Sequence, residues 1–309
     1  MSPPYPIARE HLRIRDPFIL PHDGKYLMYA QANNRSGSHF HGVEVYTSED
    51  LEWWSQPEPV LTIPDPRILR VWAPEVHRFG DSFHLLVTLT YPGSVSRRGD
   101  IHALGADWPD THARGTWHFR ADSPYGPFKA ESGTLLTPPE DMALDGTLWH
   151  EDGEPWLVYC HEWVQMVDGL VMARRLDREL RPTSDQPVTL FRASDAPCAP
   201  VAPTKGKVTD GPFLFRMSTG GSLFMLWSTM DSAGIYVMLA AESPSGSIRG
   251  PWQRQHVLLH NNAGHGMVFT DLAGNLRIAV HQPNASPAER LHLLRVDTTG
   301  TLPRVVSEV

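Results

Sequence analysis

One pattern recurs five times along the 309-residue chain and limits what it can fold into: a short apolar strand, a glycine-bearing turn and a second apolar strand. Residues 16–20 turn at Asp23-Gly24 into 26–29, and 72–76 turn at Gly80-Asp81 into 83–89. Residues 145–149 turn at Asp152-Gly153 into 156–159, 210–214 at Gly220-Gly221 into 223–227, and 264–268 at Gly274 into 276–280. Tight hairpins need positive φ at their centre, and glycine supplies it without steric cost. A third strand-like run follows each pair, at 43–47, 116–121, 170–174, 235–241 and 291–296; fainter fourth runs stand at 188–191 and 256–259. Four strands per unit in five units predict an all-β, five-bladed β-propeller. A β-sandwich would share the hairpins, but it leaves unexplained why each unit opens on a polar or sharply turning residue. In a propeller the first strand of each blade lines the central channel, so those opening residues converge on one rim. No linker-like stretch interrupts the repeats, and residues 1–309 read as a single propeller domain.

Three of the five units open with aspartate in what reads as one register: Asp16, Asp145 and Asp210. A single Asp before Gly or Pro is usually a turn residue that hydrogen-bonds its own backbone. Three that a propeller would gather at one channel mouth are more than turn chemistry. Like charges held together raise at least one pKa. One ionised and one protonated carboxyl group is what glycoside hydrolysis requires.

The rest of the composition narrows the partners. The net charge is −8 and no Lys/Arg-rich run stands out, which argues against nucleic acid. No stretch reaches the ~18 consecutive apolar residues of a membrane span. Residues 1–10 lack the apolar core of a signal peptide, so a cytoplasmic location is expected. Cys160 and Cys198 have no metal-ligand spacing and read as reduced thiols.

The ordered set Arg15-Asp16-Pro17-Phe18, Trp72-Ala73-Pro74-Glu75, Asp145-Gly146-Thr147, Asp210-Gly211-Pro212 and Gly264-His265-Gly266 resembles glycoside hydrolase family 43 over essentially the whole chain. Two outer segments resemble the family too, Thr47 through Trp54, and Ser123-Pro124-Tyr125-Gly126-Pro127-Phe128 with its echo at 243–252. The resemblance implies an inverting enzyme acting on arabinose-, xylose- or galactose-containing glycans. It implies that Asp16 is the general base and that Asp145 tunes and orients the acid. The family's acid is a glutamate before Gly-Pro in blade four; here Asp210, one methylene shorter, takes that place. Glu162, in Cys160-His161-Glu162-Trp163 just past a blade-three strand, is the other candidate acid and is given slight preference for its length. Both stay open.

Trp72, Trp149 and Trp163 neighbour these residues and are candidate walls for a sugar ring, although packing between blades competes for each. Glu75 is a candidate for binding a sugar hydroxyl or pairing with an arginine. His265 heads blade five. By resemblance it faces the channel, where it would contact substrate and help hold a Ca²⁺ or other cation; no cofactor is required for the expected chemistry. His39 and His41, on the polar loop 33–41, are within reach of a substrate. The reading is an exo-acting hydrolase that releases a terminal furanose or pentose: arabinofuranose, galactofuranose or xylose. Three alternatives compete. A fructan hydrolase would be retaining. A glycoside phosphorylase would need a cationic cluster at the channel mouth, and Arg15, Arg35 and Arg70 do not read as one. A non-catalytic sugar-binding propeller is suggested by the shortened residue 210.

Overall fold

The computed structural model describes residues 6–32, 41–99, 108–200, 206–217 and 221–308. Five four-stranded antiparallel sheets form a five-bladed β-propeller. Blade one comprises Phe18–His22, Lys25–Gln31, Gly42–Ser48 and Glu58–Thr62. Blade two comprises Arg70–Phe79, Ser82–Tyr91, Ala113–Ala121 and Thr134–Leu135. Blade three comprises Ala143–Glu151, Glu154–His161, Leu170–Arg175 and Val188–Arg192. Blade four comprises Asp210–Arg216, Leu223–Met230, Tyr236–Ser243 and Gln253–Leu259. Blade five comprises Gly264–Thr270, Leu276–Gln282, Arg290–Asp297 and Arg304–Glu308. The expected strand pairs and third strands are all present; Gly220 of the expected fourth turn lies outside the described residues. No helix among the described residues is long and apolar enough to cross a membrane.

The turns explain why consecutive strands pair. Asp23-Gly24 and Asp152-Gly153 have positive φ at both central residues (47° and 75°; 53° and 79°), the two-residue hairpin whose twist matches its strands. Second strands such as Leu223–Met230 are buried on both faces, because each blade lies between two others. The apolar core therefore consists of inter-blade layers. Trp227, Met225 and Leu239 meet Val158 and Val171 between blades three and four, and Phe224 and Leu226 meet Ile278 and Val280 between blades four and five.

Each blade builds its own fourth strand, so the ring closes by another route. Ile7–Ala8 pairs with Trp53–Trp54 of blade one. The chain then runs through buried Leu12 and Ile14, with Arg13 on Glu289 and Arg15 on Asn284 of blade five. This segment delivers Asp16 to the rim at the seam between the last and first blades.

The five inner strands share one backbone device. Asp16, Ala73, Asp145, Gly211 and His265 have φ of 52°, 46°, 56°, 51° and 49°. Only glycine adopts this left-handed conformation without cost. In blades two to five a bulge follows directly, between pairs such as Leu144↔Cys160 and Thr147↔Val158. This corrects the single register expected for the three aspartates. Asp16 and Asp145 occupy the left-handed position, whereas in blade four Gly211 does. Asp210 stands one residue earlier, on the paired strand, opposite Ser228. The physical reason is the inserted glycine: Asp16 adjoins Pro17 directly, while Gly211 lies between Asp210 and Pro212.

Candidate active site

The left-handed residues are held by hydrogen bonds from one blade to the next. Asp145 N donates to Thr88 Oγ1 (2.8 Å), His265 N to Ser228 Oγ (2.9 Å) and Asp16 N to His281 Nδ1 (3.3 Å). Each acceptor lies on the second strand of the preceding blade, opposite Trp72, Asp210 and Gly264 respectively. In blade three the equivalent residue, opposite Leu144, is Cys160, a weak acceptor. The Gly211 N–H donates instead to Asp145 Oδ2, at 3.0 Å.

These constraints gather the three aspartates around a cavity of about 530 Å³, lined also by Trp72, Glu162, Trp163, Tyr236 and His265. Asp16 Oδ1 lies 3.2 Å from His265 Nδ1 and 3.2 Å from His281 Nδ1, and Arg15 Nε is 3.8 Å from Oδ2. Burial by itself would raise this carboxyl; His265 first, with Arg15 beside it, outweighs burial and holds Asp16 below the usual carboxylate range. Asp145 is moved the opposite way. Burial first, then the charge of Asp210 and the hydrogen bond the two carboxyls share, raise it well above its ordinary value. The Asp145–Asp210 pair therefore holds a proton, while Asp16 stays ionised. Tyr236 Oη donates to Asp210 Oδ2 at 2.6 Å.

Glu162 caps the short helix Trp163–Met166 at the cavity wall. Arg114 donates to it through Nη1, bonds Thr90 Oγ1 through Nε (2.8 Å) and lies 4.4 Å over the Trp72 ring. Burial raises the Glu162 carboxyl and Arg114 opposes the rise. Gln165 Oε1 accepts from Met142 N (2.6 Å) and lies 2.7 Å from His161 Nε2, fixing the helix to the end of the blade-three hairpin. Trp163 lines the cavity and packs edge-on against Trp108.

Two candidates lie elsewhere. Trp149 is four residues along the strand from Asp145, roughly 13 Å at strand rise; it pairs with Trp156 near the hairpin turn and packs in the core beside Arg216. Glu75 is not among the cavity-lining residues, and its Oε2 meets His77 Nε2 at 2.7 Å, so among the described residues its partner is a histidine and not an arginine. His41 is described and does not line the cavity, where Arg15 and Arg70 both do; His39 and Arg35 lie outside the described residues. The residues that sequence reasoning missed, Arg114, Tyr236, His281 and Asn284, come from second, third and connecting segments without a repeat motif.

Asp145, Asp210 and His265 offer three ligand atoms within 4.8 Å of one another. One imidazole and two carboxylates suit a divalent cation chemically.

The chain matches the family model for glycosyl hydrolases family 43 over residues 6–299. Among solved structures, an endo-arabinase from Bacteroides thetaiotaomicron is 34% identical, with a TM-score of 0.78 over 95% of this chain and 97% of that one. A thermostable family-43 glycoside hydrolase (19% identical, TM-score 0.73, 96% and 93% covered) and an exo-1,5-alpha-L-arabinanase from a bovine ruminal metagenomic library (16%, 0.68, 96% and 97%) share the fold. A search of curated proteins by sequence finds no match. With a family match that spans nearly every residue and a carboxylate site at the channel mouth, the chain belongs to glycosyl hydrolases family 43 and is a glycoside hydrolase.

Proposed function

We propose that the protein is an inverting, exo-acting glycosidase that releases a terminal furanose or pentose, with arabinofuranose first among the candidates. The observation that carries the reading is the unlike setting of the carboxyls: Asp16 lies against His265 and His281 and is held ionised, whereas buried Asp145 crowds half-buried Asp210 and is pushed toward its protonated form. In the proposed reaction Asp16 takes a proton from water as its oxygen attacks the anomeric carbon. The bond from that carbon to the glycosidic oxygen breaks, and Asp210 gives its proton to the departing oxygen. Among the described residues Asp16 makes no hydrogen bond to either partner aspartate, consistent with a base that works across the sugar from the acid.

Asp210 is preferred to Glu162 as the acid. Burial raises the Glu162 carboxyl and Arg114 only partly opposes this, but the Arg114 guanidinium ties Glu162 in place and is itself fixed by Thr90 and Trp72, so Glu162 is not free to follow a departing oxygen. Glu162, Trp72 and Trp163 line the cavity from blades two and three, with Arg114 bonded to Glu162 and lying over the Trp72 ring. Asp210→Asn and Glu162→Gln should be assayed on an activated phenyl glycoside and an alkyl glycoside. Loss of the acid spares the phenol, which departs unassisted, and cripples the alkyl substrate. That pattern in Glu162→Gln and not in Asp210→Asn would reverse the assignment. Proton NMR of the first-formed product tests inversion, and a retained anomer refutes it.

Internal cleavage of arabinan is the second reading, favoured by the 34% identity to an endo-arabinase over 97% of its length. Linear arabinan separates the two: exo action yields monosaccharide from the start, endo action a ladder of oligosaccharides. A cation held by His265 with Asp145 and Asp210 would take the place of the proton near the two crowded carboxyls, and is therefore an alternative to the protonated pair rather than an addition to it. Calorimetric titration with Ca²⁺, compared with His265→Ala, tests that proposal.

A further inference from the structure

Among the described residues that touch the three aspartates, Tyr236 has no place in the reaction above. It opens the third strand of blade four, is fully buried in that blade, and stacks on His281 of blade five with ring centroids 5.7 Å apart and planes 18° apart. Its hydroxyl donates to Asp210 Oδ2 at 2.6 Å. Nearby, His265 N donates to Ser228 Oγ at 2.9 Å, which fixes the start of blade five against blade four. The stacking on His281 and the short bond to Asp210 together hold the Tyr236 ring and its hydroxyl in place.

The sequence makes room for this arrangement. A Cβ at residue 264 would lie 2.4 Å from Tyr236 Cε1 and 2.6 Å from Ser228 Oγ. Gly264 is not in the left-handed conformation, so its lack of a side chain is a matter of space. Blade five thus yields a methyl group's volume for the Tyr236 ring to reach Asp210.

We infer that Tyr236 is the positioning residue for the proton donor: by fixing Asp210 Oδ2 it turns the other carboxylate oxygen toward the glycosidic oxygen, in place of the reach a glutamate would have. The inference rests on the proposed role of Asp210 as acid. An aspartate has one torsion fewer than glutamate and sits one residue off the left-handed position of the other blades. Its aim depends on what holds it. Tyr236 holds Oδ2 by a 2.6 Å hydrogen bond, and the Asp145 carboxyl lies close by.

The test is Tyr236→Phe, which deletes one oxygen and keeps the ring. Kinetics are measured on an alkyl and an activated phenyl glycoside, alone and combined with Asp210→Asn. A hydrogen bond to an ionisable group of this kind corresponds to roughly 10- to 100-fold in rate. The expected result is a kcat loss of that size on the alkyl glycoside, KM within about twofold, and a smaller loss on the phenyl glycoside. In the Asp210→Asn background Tyr236→Phe should have no further effect, because a positioning residue acts only through what it positions. A merely structural role would lower both substrates alike and multiply with Asp210→Asn. Either of those results overturns the inference while leaving Asp210 as the acid. If Asp210→Asn itself shows no leaving-group dependence, both the acid assignment and the inference fall. Gly264→Ala is the second variant, used if Tyr236→Phe does not fold: it keeps the hydroxyl but displaces the ring, and it should reproduce the same selective loss. Native kinetics in a folded Gly264→Ala would count against the inference.

Discussion

Gly211→Ala separates what the fold needs at the rim from what the chemistry needs. Two costs are distinct. The first is conformational: residue 211 has φ +51°, and an alanine there costs about 1–2 kcal/mol. The loss of unfolded-chain freedom returns roughly 0.4–1 kcal/mol of this. Ala73 already occupies the same position in blade two at φ +46°, so the propeller accepts alanine there. The net loss should be about 1 kcal/mol, or a melting point lower by roughly 2–4 °C in a chain of this size. The second cost is local. The new Cβ would stand 2.7 Å from His265 Cγ and 3.0 Å from Nδ1. Reaching ordinary contact at 3.4 Å requires the ring to move by about 0.7 Å. His265 N is tied to Ser228 and its Nδ1 faces Asp16, so the movement disturbs the base directly. A misplacement near 1 Å costs on the order of 100-fold, and kcat should fall by roughly 10- to 100-fold. The assay pairs a thermal melt with initial rates on an aryl arabinofuranoside, with Ala73→Gly as the control that should leave the rate unchanged. Native kcat in Gly211→Ala would refute the argument that this glycine protects His265. A melting point lower by more than about 10 °C would show that its role is mainly in the fold.

Asp16→Asn should lower kcat by roughly 10²–10⁴-fold while calorimetry still detects product sugar, because a buried rim carboxylate contributes chemistry rather than packing. The profile of kcat/KM against pH should be a broad bell. Asp16 must be ionised, so activity is lost as pH falls through its lowered value; the Asp145–Asp210 pair must hold its proton, so activity is lost as pH rises through the raised value of the pair. Asp145→Asn should move the alkaline limb to lower pH, and an unmoved limb would count against the shared proton. Arg114→Met should destabilise the protein by about 3–5 kcal/mol, because it strands the buried Glu162; adding Glu162→Gln should recover part of that loss in a denaturant titration.

The repeat was readable because each hairpin needs the same local solution, and glycine at a tight turn is a cause rather than a decoration. Asp16, Asp145 and Asp210 were readable for a related reason: a propeller sends the start of every inner strand to one rim. What the sequence concealed was distance along a strand and contact between strands. Trp149 looks adjacent to Asp145 in the chain, but four extended residues carry it well down the blade. Glu75 lies two residues beyond Ala73, past the bulge, and turns to His77. Tyr236, His281 and Arg114 reach the site from second and third strands and carry no spacing signal, since none of them stands in a motif repeated from blade to blade. The one-residue offset of Asp210 was visible in principle, because Asp-Gly-Pro differs from Asp-Pro by the residue that takes the left-handed position.

That offset and Cys160 together account for the asymmetry on which the chemistry depends. In blades one, three and five the left-handed N–H is satisfied by a side chain of the preceding blade: His281, Thr88 and Ser228. At blade four the preceding blade presents Cys160, so the buried Gly211 N–H needs another acceptor and takes Asp145 Oδ2. Asp145 is thereby anchored toward blade four rather than toward Asp16. Because Asp210 is placed one residue earlier than its counterparts, its carboxyl lies where that of Asp145 can share a hydrogen bond with it. The two form the proton-holding pair, and Asp16 is left to His265 and Arg15, which keep it ionised. Had Asp210 stood at the left-handed position, the three carboxyls would occupy equivalent places around the ring, and nothing in the backbone would distinguish a base from an acid. A near-symmetric scaffold acquires opposed protonation states through one displaced aspartate and one residue that cannot accept a hydrogen bond well.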